Sequence, residues 1–181
     1  MAIQHGSGKT LIPWNEFTTN LILRPGVLWL TLIIIIQIAG GAAAPDSDAF
    51  PSSCPEDAQN CYRIANEPYA TNQTEVWFNA SAYDLREAAG EWVDDQSLAI
   101  VTFDDDIEFH AVFRTKFLLF PDDLFLRTGC TDQGAYIQIH SESRLGVSDL
   151  GVNEERVEEL ISYLQNQQFE PMDECVQTPV V

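Results

Sequence analysis

Lysine is almost absent from this chain, which contains only Lys9 and Lys116 among its 181 residues. Lysine and arginine together number nine against 28 aspartates and glutamates, so the formal net charge is −19. A protein that binds nucleic acid needs clustered cations to neutralise phosphates, and the sequence has no such cluster. The composition therefore argues against a nucleic-acid partner.

Familiar catalytic signatures are also missing. The sequence has no phosphate-binding glycine loop, no dinucleotide fingerprint and no Gly-x-Ser-x-Gly nucleophile elbow. Ser141, His110 and Asp149 supply the residue types of a hydrolytic triad, but no pattern assembles them. His110, His140 and Glu142 share a polar strand face and could hold a metal, yet solvated side chains explain that face more simply. We therefore expect no cofactor and no metal, and a hydrolase-like enzyme ranks behind other functions.

One long apolar run without charges, residues 26–44, follows a polar leader, residues 1–25. At about 1.5 Å per residue the run barely matches a hydrocarbon core of about 30 Å. It can be a retained membrane anchor, or a signal peptide that is cleaved at its small residues. Lys9, Arg24 and Glu16 give this N-terminal part a charge of +1, so the remainder carries −20. Either way we expect an extracytoplasmic domain, held at the membrane or, after cleavage, secreted.

All four cysteines follow the apolar run. Cys54 and Cys61 are close enough to close a small loop, which leaves Cys130 and Cys175 as the complementary pair. The alternative is a four-cysteine zinc site, but neither a C-x2-C spacing nor a nearby histidine supports it. We favour two disulfides formed in an oxidising compartment.

The remaining sequence divides into three segments. Residues 45–74 are rich in Pro, Ser, Asn and Asp and are predicted to be a linker pinned by its two cysteines. Residues 75–169 carry the periodic patterns of a folded domain, and residues 170–181 form an irregular tail. Strands are predicted at 76–78, 98–103, 107–117, 124–128 and 135–141.

Two amphipathic helices complete the predicted domain. Ser81 and Asp84 form a capping-box pattern ahead of the first, and Asn153 precedes the apolar stripe of the second. The alternation of strands 107–117 and 135–141 is typical of an antiparallel sheet with one covered face. The predicted fold is therefore α+β, with a sheet of four to five antiparallel strands and two helices packed on one face, preceded by the N-terminal transmembrane or signal helix.

The most specific stretch runs from residue 141 to residue 153 and leads into the last helix. It resembles the core motif of an uncharacterised family of bacteria and plastids, domain-of-unknown-function family 1499. The matching residues are Ser141, Ser143, Arg144, Gly146, Ser148, Asp149, Leu150, Gly151, Val152, Asn153 and Arg156. His140 stands where the family has arginine. Segments 54–61 and 120–123 also resemble the family, so the resemblance covers about residues 54–164 and implies a shared fold.

The candidate site gathers charged and hydroxyl side chains at one edge of the sheet. Its members are Arg144, Asp149, Asp122, Asp123, Ser141 and Ser143. Arg144 could grip a carboxylate or phosphate with two hydrogen bonds. The structural alternative is an internal Arg–Asp ion pair, an Asx turn at Asp149, a helix cap at Asn153 and purely conformational roles for Gly146 and Gly151. We expect this alternative for Asn153 and the glycines, and leave both interpretations open for Arg144 and Asp149.

A binding module is the leading functional hypothesis. A sheet covered by helices can hold a pocket between the layers. Aromatic side chains would wall that pocket, with Arg144 at its mouth: Phe109, Phe113, Phe117, Trp77 and Trp92. Such a site would suit an anionic amphiphile, such as a lipid or fatty acid, although each aromatic could equally fill the core. The alternative is a structural or assembly factor for a membrane complex.

Overall fold

The computed structural model describes residues 14–65, 75–132, 134–170 and 175, with side chains from residue 24 onward. The first half of the predicted leader, residues 66–74 of the predicted linker and most of the predicted tail lie outside the described residues. The described elements, in chain order, are α1 Trp14–Ala42, β1 Cys61–Ile64, β2 Val76–Phe78, α2 Ala82–Asp94, β3 Ala99–Asp104, β4 Glu108–Arg114, β5 Pro121–Thr131, β6 Gly134–Ser143 and α3 Val152–Gln165.

Helix α1 contains the apolar run. Its stretch Arg24–Ala42 is long and apolar enough to cross a membrane, judged by length and composition, and it is largely exposed. The helix begins at Trp14 and continues through Pro25, so the second half of the predicted leader is helical. At about 1.5 Å per residue, its 29 residues extend about 43 Å, well beyond the apolar run itself.

The strands form one antiparallel sheet in the order β1-β6-β5-β4-β3, and β2 also pairs with β6. The α+β class and the antiparallel pairing are confirmed. Among the described residues the sheet has six strands, whereas the sequence predicts four or five. The central strands β5 and β6 are the longest, with 11 and 10 residues, and they carry most of the predicted site.

The additional strand is β1, which lies inside the segment predicted to be a linker. Tyr62 and Ile64 face the hydrophobic core, while Cys61 and Arg63 contact His140 on the other face. Four residues are too few for an alternation to stand out from a loop, and the surrounding Pro and Ser residues obscured this one. The sheet therefore begins earlier in the sequence than predicted.

Helices α2 and α3 share one hydrophobic core with the sheet. Ser81 begins α2 as predicted, and its hydroxyl accepts a hydrogen bond from the backbone N–H of Asp84 at 2.9 Å. The core joins helix residues Leu85, Ala89, Trp92, Val157 and Leu160 to strand residues Phe109, Ala111, Phe113, Ile137 and Ile139. Full burial of one such large side chain is worth about 1.5–3 kcal/mol, so this core is the main source of stability.

The opposite face of the sheet is covered near its centre by the segments that flank β1 and follow α1. Phe50 and Ala65 pack with Phe125 in a second apolar cluster. His110 and His140, predicted to be solvated, are only 2% and 0% exposed. That prediction was wrong because an alternating pattern shows which face a side chain points to, not what covers that face.

Candidate functional site

The predicted site residues lie where β5 begins and β6 ends. Asp122 is paired with Ser143, and Asp123 with Glu142, in the register of these two strands. Successive residues of a strand point to opposite faces of the sheet. The structure therefore divides the predicted residues into an inner cluster on the core-facing side and an outer cluster on the other side.

The inner cluster is a set of interlinked buried polar side chains. Its members, each at most 8% exposed, are Asn60, Asp122, Ser141, Ser143, Asn153 and Arg156. Arg156 Nη2 donates to Asp122 Oδ2 at 2.7 Å, and Ser143 Oγ donates to Asp122 Oδ1 at 2.5 Å. Both oxygens of the buried carboxylate are thus satisfied, which offsets the cost of removing the charges from water.

Asn153, in the first turn of helix α3, connects that helix to Asn60, the residue before β1, and to the end of β6. Its Nδ2 donates to the Asn60 carbonyl at 3.0 Å and to Ser143 Oγ at 3.1 Å, and its Oδ1 accepts from Ser141 Oγ at 2.7 Å. The predicted helix cap at Asn153 is wrong, because the cap position is Gly151 and Asn153 lies inside the helix. An asparagine ahead of an apolar stripe has the same sequence pattern in either role.

The outer cluster consists of Arg144, Asp123, His110 and Asp48. Arg144 holds Asp123 with two hydrogen bonds, Nε to Oδ2 at 2.8 Å and Nη2 to Oδ1 at 2.7 Å. His110 Nε2 lies 2.7 Å from Asp123 Oδ1, and its Nδ1 lies 2.6 Å from Asp48 Oδ1. The imidazole also stacks on the Phe125 ring, with centroids 4.0 Å apart. Arg144 therefore makes the internal ion pair of the structural alternative.

Asp123 is 5% exposed at the centre of the outer cluster. Burial raises the pKa of this carboxyl, but hydrogen bonds from Arg144 and His110, together with their positive charges, outweigh that effect. The pKa of Asp123 consequently lies below its ordinary value. The side chain is an anion at neutral pH, and its two partners are already committed to it.

Asp149 and two glycines shape the turn between β6 and α3. Asp149 Oδ1 accepts a hydrogen bond from Gly151 N at 3.0 Å, and its Oδ2 accepts one from Asn153 N at 2.7 Å. Gly146 and Gly151 have φ of 97° and 86°, where a side chain would be strained. Leu150 also has a positive φ, 59°, and is 95% exposed.

A pocket of about 320 Å³ lies between this turn and the loop that joins β4 to β5. Its apolar walls come from Phe120, Leu145, Leu150 and Val152. Asp122, Ser143 and Asp149, three of the predicted site residues, also line it, together with Ser148. Among the described residues that line this pocket there is no lysine or arginine, so Arg144 does not stand at its mouth.

The aromatic residues expected to wall a pocket are divided among different environments. Phe109, Phe113 and Trp92 are 2%, 8% and 7% exposed and fill the core. Phe117 and Trp77 are 71% and 36% exposed. For Phe117 the reason is that β4 ends at Arg114, so the alternation that pointed residue 117 inward stops before reaching it.

The residue types of a hydrolytic triad are not brought together. Ser141 donates to Asn153 and accepts a hydrogen bond from Arg156 Nη1 at 2.9 Å within the inner cluster. His110 belongs to the outer cluster, on the opposite face, and Asp149 is engaged by backbone N–H groups of the turn. In the described part of the chain these three residues do not form a nucleophile–base pair.

Both predicted disulfides are present, Cys54–Cys61 and Cys130–Cys175. They indicate an oxidising, extracytoplasmic environment. All four cysteines are paired, so they do not form the four-cysteine zinc site considered as the alternative. His140, which is fully buried, lies beside the first disulfide, with Nε2 3.6 Å from Cys61 Sγ.

The sequence interpretation did not identify Arg156, Asn60 and His110 as members of polar clusters. Arg156 offered a signal, because a cation near the N-terminus of a helix opposes the helix dipole and therefore needs another partner. Asn60 and His110 offered none, since their partners are distant in sequence. Such pairings become visible only when the register of the sheet is known.

Comparison with known proteins supports the family resemblance. No curated protein and no solved structure matches the chain. The family model described as a protein of unknown function, DUF1499, matches residues 52–164. The matched region contains every strand and helix after α1, except the last residue of α3, and both polar clusters except Asp48. The chain therefore belongs to the DUF1499 family.

Proposed function

We propose that this protein is a membrane-attached module that binds an amphiphile in the pocket between the β4–β5 loop and the β6–α3 turn. The observation that carries the proposal is the position of the pocket beside the end of the apolar helix. An N-terminal helix of this kind serves as a signal or an anchor, and the proposal takes it as a retained anchor. The disulfides are consistent with a domain on the outer side of the membrane.

Helix α1 contacts the same loop that borders the pocket. Gln37 Nε2 donates to the Leu119 carbonyl at 2.7 Å, and Gln37 Oε1 accepts from Arg114 Nε at 3.2 Å. Toward the N-terminus of the helix, the centroid of the Trp29 ring lies 6.4 Å from that of the Phe117 ring. The loop therefore lies against the side of the apolar helix, and a helix retained in the membrane would keep the loop close to lipid.

The composition of the β4–β5 loop suits that position. Residues 116–120 read Lys-Phe-Leu-Leu-Phe, which is one of the two lysines of the chain followed by four apolar residues. Phe117 is 71% exposed, and Lys116 is exposed beside it. An apolar side chain at the interface next to a cation near lipid phosphates is a common arrangement for membrane contact. Phe120, from the same loop, forms a wall of the pocket.

The pocket itself favours the apolar part of a ligand. Its volume, about 320 Å³, is at the lower end of the range for small-molecule sites, so it suits one chain segment or a small head group rather than a whole lipid. Ser148 and Asp149 offer hydroxyl and carboxylate oxygens at its rim. We therefore propose an amphiphile with an uncharged, hydrogen-bond-donating head. The anionic head expected from the sequence would require Arg144 to release Asp123.

Two matched probes test the ligand class. Native mass spectrometry of the full chain in detergent micelles would compare monooleoylglycerol with oleate, which share an acyl chain and differ in head-group charge. We expect bound monooleoylglycerol and weaker binding of oleate, because the chain beyond the apolar run carries a charge of −20. Tighter binding of oleate that is lost in Arg144→Ala would instead support the anionic ligand.

Pocket-filling variants test whether the amphiphile binds in this pocket. Leu145→Trp and Ser148→Trp place an indole in the pocket lining, whereas Val147→Trp places it on a side chain that is 87% exposed and lies outside the lining. We expect binding to be lost in the first two variants and retained in the third. Equal binding in all three would remove the pocket from the proposal.

An assembly factor is the second candidate function. Val147 and Leu150, which lie between the two turn glycines Gly146 and Gly151, are 87% and 95% exposed. Exposed apolar side chains on a conformationally fixed turn are also suited to contact another protein. If neither amphiphile binds, and Leu150→Ser abolishes co-purification of a membrane partner from the native host, this second function would replace the first.

A further inference from the structure

The two disulfides have different surroundings. Cys61 is 8% exposed and has a buried imidazole next to its sulfur, with His140 Nε2 at 3.6 Å and Nδ1 at 3.9 Å. Cys54, its partner, is half-buried. Cys130 and Cys175 instead pack against the apolar core. Cys130 and Cys175 are also half-buried, so the two disulfides differ in the imidazole beside Cys61 and not in exposure.

Two neighbours determine how His140 is protonated. Arg63 Nη1 lies 3.2 Å from His140 Nδ1, and a guanidinium group can only donate, so Nδ1 accepts. The proton of the neutral ring is therefore on Nε2, which lies 3.1 Å from Glu142 Oε2. The same N–H is close enough to Cys61 Sγ to donate to it once that sulfur carries a negative charge.

We propose that Cys54–Cys61 is a redox-active disulfide that exchanges with a dithiol reductant. A thiolate of the reductant attacks Cys54 Sγ, the Cys54–Cys61 bond breaks, and its electron pair leaves with Cys61 Sγ as a thiolate. The second thiol of the reductant loses its proton to solvent and attacks the reductant sulfur of the mixed disulfide. Cys54 then leaves as a thiolate and takes a proton from solvent. The protein disulfide gains two electrons, and the dithiol becomes a disulfide.

The surroundings of Cys61 favour this direction of cleavage. A hydrogen bond from His140 and the positive charge of buried Arg63 stabilise a thiolate, and a stabilised thiolate is the better leaving group. Glu142 opposes the effect, but its side chain is 31% exposed and its charge is screened by water. Attack on Cys54 is also the less hindered route, because Cys61 lies within β1 and is buried beside His140.

Reduction would leave the fold in place. Cys61 is held in β1 by backbone pairing with β6, and Asn60 next to it donates from Nδ2 to the Ser143 carbonyl at 2.9 Å. The segment freed by reduction is 54–58, because the bridge between Gln59 and Ser148 and the hydrogen bonds of Asn60 hold its C-terminal side, and Arg63 Nη1 donates to the Pro51 carbonyl at 2.6 Å on its N-terminal side. The change is therefore local to the edge of the sheet near the β6–α3 turn.

The second disulfide provides an internal control. The full chain in detergent would be equilibrated with dithiothreitol redox buffers, and alkylation with mass spectrometry would report each pair separately. We expect Cys54–Cys61 to open in buffers that leave Cys130–Cys175 oxidised, with circular dichroism unchanged. In His140→Phe we expect the equilibrium constant for reduction of Cys54–Cys61 by dithiothreitol to fall at least tenfold. This change corresponds to a reduction potential lower by about 30 mV. Opening of both pairs together with unfolding would overturn the proposal, as would an unchanged constant in His140→Phe.

Two further variants keep the test independent of the buried histidine. Glu142→Gln removes the opposing charge at a partly exposed position and should move the exchange constant severalfold toward the dithiol. Cys54→Ser leaves Cys61 as a free thiol, and its rate of alkylation against pH should give a pKa below the ordinary value of about 8.5. A pKa at or above that value, or a shift toward the disulfide in Glu142→Gln, would contradict the assigned environment.

Discussion

Arg144 holds Asp123 by two hydrogen bonds of 2.8 Å and 2.7 Å, and its third nitrogen, Nη1, reaches the carbonyl of Gly40 at 3.5 Å. One arginine from the family motif thus connects the outer face of the sheet to the end of the apolar helix. This relationship gives the motif a structural purpose that does not depend on a ligand. It also places the Arg144–Asp123 ion pair beside the C-terminal end of helix α1.

Replacing Arg144 should destabilise the fold strongly. Arg144→Ala leaves the buried Asp123 carboxylate with His110 as its remaining side-chain partner, and removing one member of a buried ion pair typically costs about 3–5 kcal/mol. We expect Arg144→Lys to recover only part of the loss, because an ammonium group cannot make the paired contact. The free energy of unfolding, measured with urea, checks both variants.

The ion pair of Arg86 with Asp104 is the matched control, since the Asp104 side chain is 46% exposed. Arg86→Ala should cost less than about 1 kcal/mol, as is usual for pairs screened by solvent. If Arg86→Ala and Arg144→Ala cost the same, the outer cluster would not be the stabilising element described above.

The stability of the outer cluster should depend on pH in the acid range. The pKa of Asp123 is lowered on folding from an unfolded-state value near 3.8. Its contribution is therefore present in full above that value and is lost as the pH falls through the folded-state pKa. The difference in unfolding free energy between the wild type and Asp123→Asn should be constant near neutral pH and should shrink below about pH 4.

The exposed Asp104 again supplies a control. Asp104→Asn should change the unfolding free energy by less than about 1 kcal/mol throughout the same pH range. A difference between wild type and Asp123→Asn that grows as the pH falls would have the wrong sign for a lowered pKa.

The buried pair in the inner cluster should behave as a coupled unit. Arg156→Met leaves the buried Asp122 carboxylate without its cation, and Asp122→Asn leaves the Arg156 guanidinium without its anion. Each single change should therefore lower the free energy of unfolding by about 3–5 kcal/mol. The double variant removes both charges and should cost less than the sum of the two by about 1–3 kcal/mol. Strictly additive losses in urea unfolding would show that the two side chains act independently.

The contact between helix α1 and the sheet can be tested with two neighbouring glycines. A β-carbon on Gly40 would overlap the Pro121 ring, whereas one on Gly41 would meet nothing within 4 Å. Gly40→Leu should therefore displace the helix from the start of β5 and lower the melting temperature of the full chain. Gly41→Leu, with the same added volume, should leave it unchanged. Equal melting temperatures would mean that α1 does not pack on the sheet.

The sequence predicts β4 and β6 well because each alternates over seven or more residues, whereas β5, predicted at 124–128, extends over Pro121–Thr131. The inward positions Phe109, Ile137 and Ile139 are in the core as the alternation indicates. Strand β1 escapes detection because four residues carry too little periodic signal. The histidines His110 and His140 are placed on the correct face but in the wrong environment, since the segment that buries them packs from far away in sequence.

The sequence predicted which residues belong to the candidate site, but not how they are divided between the two faces of the sheet. Asp122, Asp123 and Arg144 are all engaged, but the strand alternation that separates Asp122 from Asp123 also separates their partners. The predicted strand, 124–128, stops short of both aspartates, so its alternation did not divide the site in advance. The pocket could not be foreseen, because its walls come from a turn and a loop whose conformations depend on Gly146, Gly151 and a left-handed Leu150.

Strand β1 pairs with β6, although β2, α2, β3, β4 and β5 lie between them in the sequence. If the domain is exported as proposed, β1 reaches the outer compartment long before β6, with which it pairs. Cys54 and Cys61, seven positions apart, can join during this interval, whereas Cys130 must wait for Cys175, 45 positions later. Pairing of such distant strands is the slow kind of step in β-sheet folding. Closure of this sheet is thus an event that follows translocation, and a chain stalled before residue 134 would carry a formed disulfide on an unpaired strand.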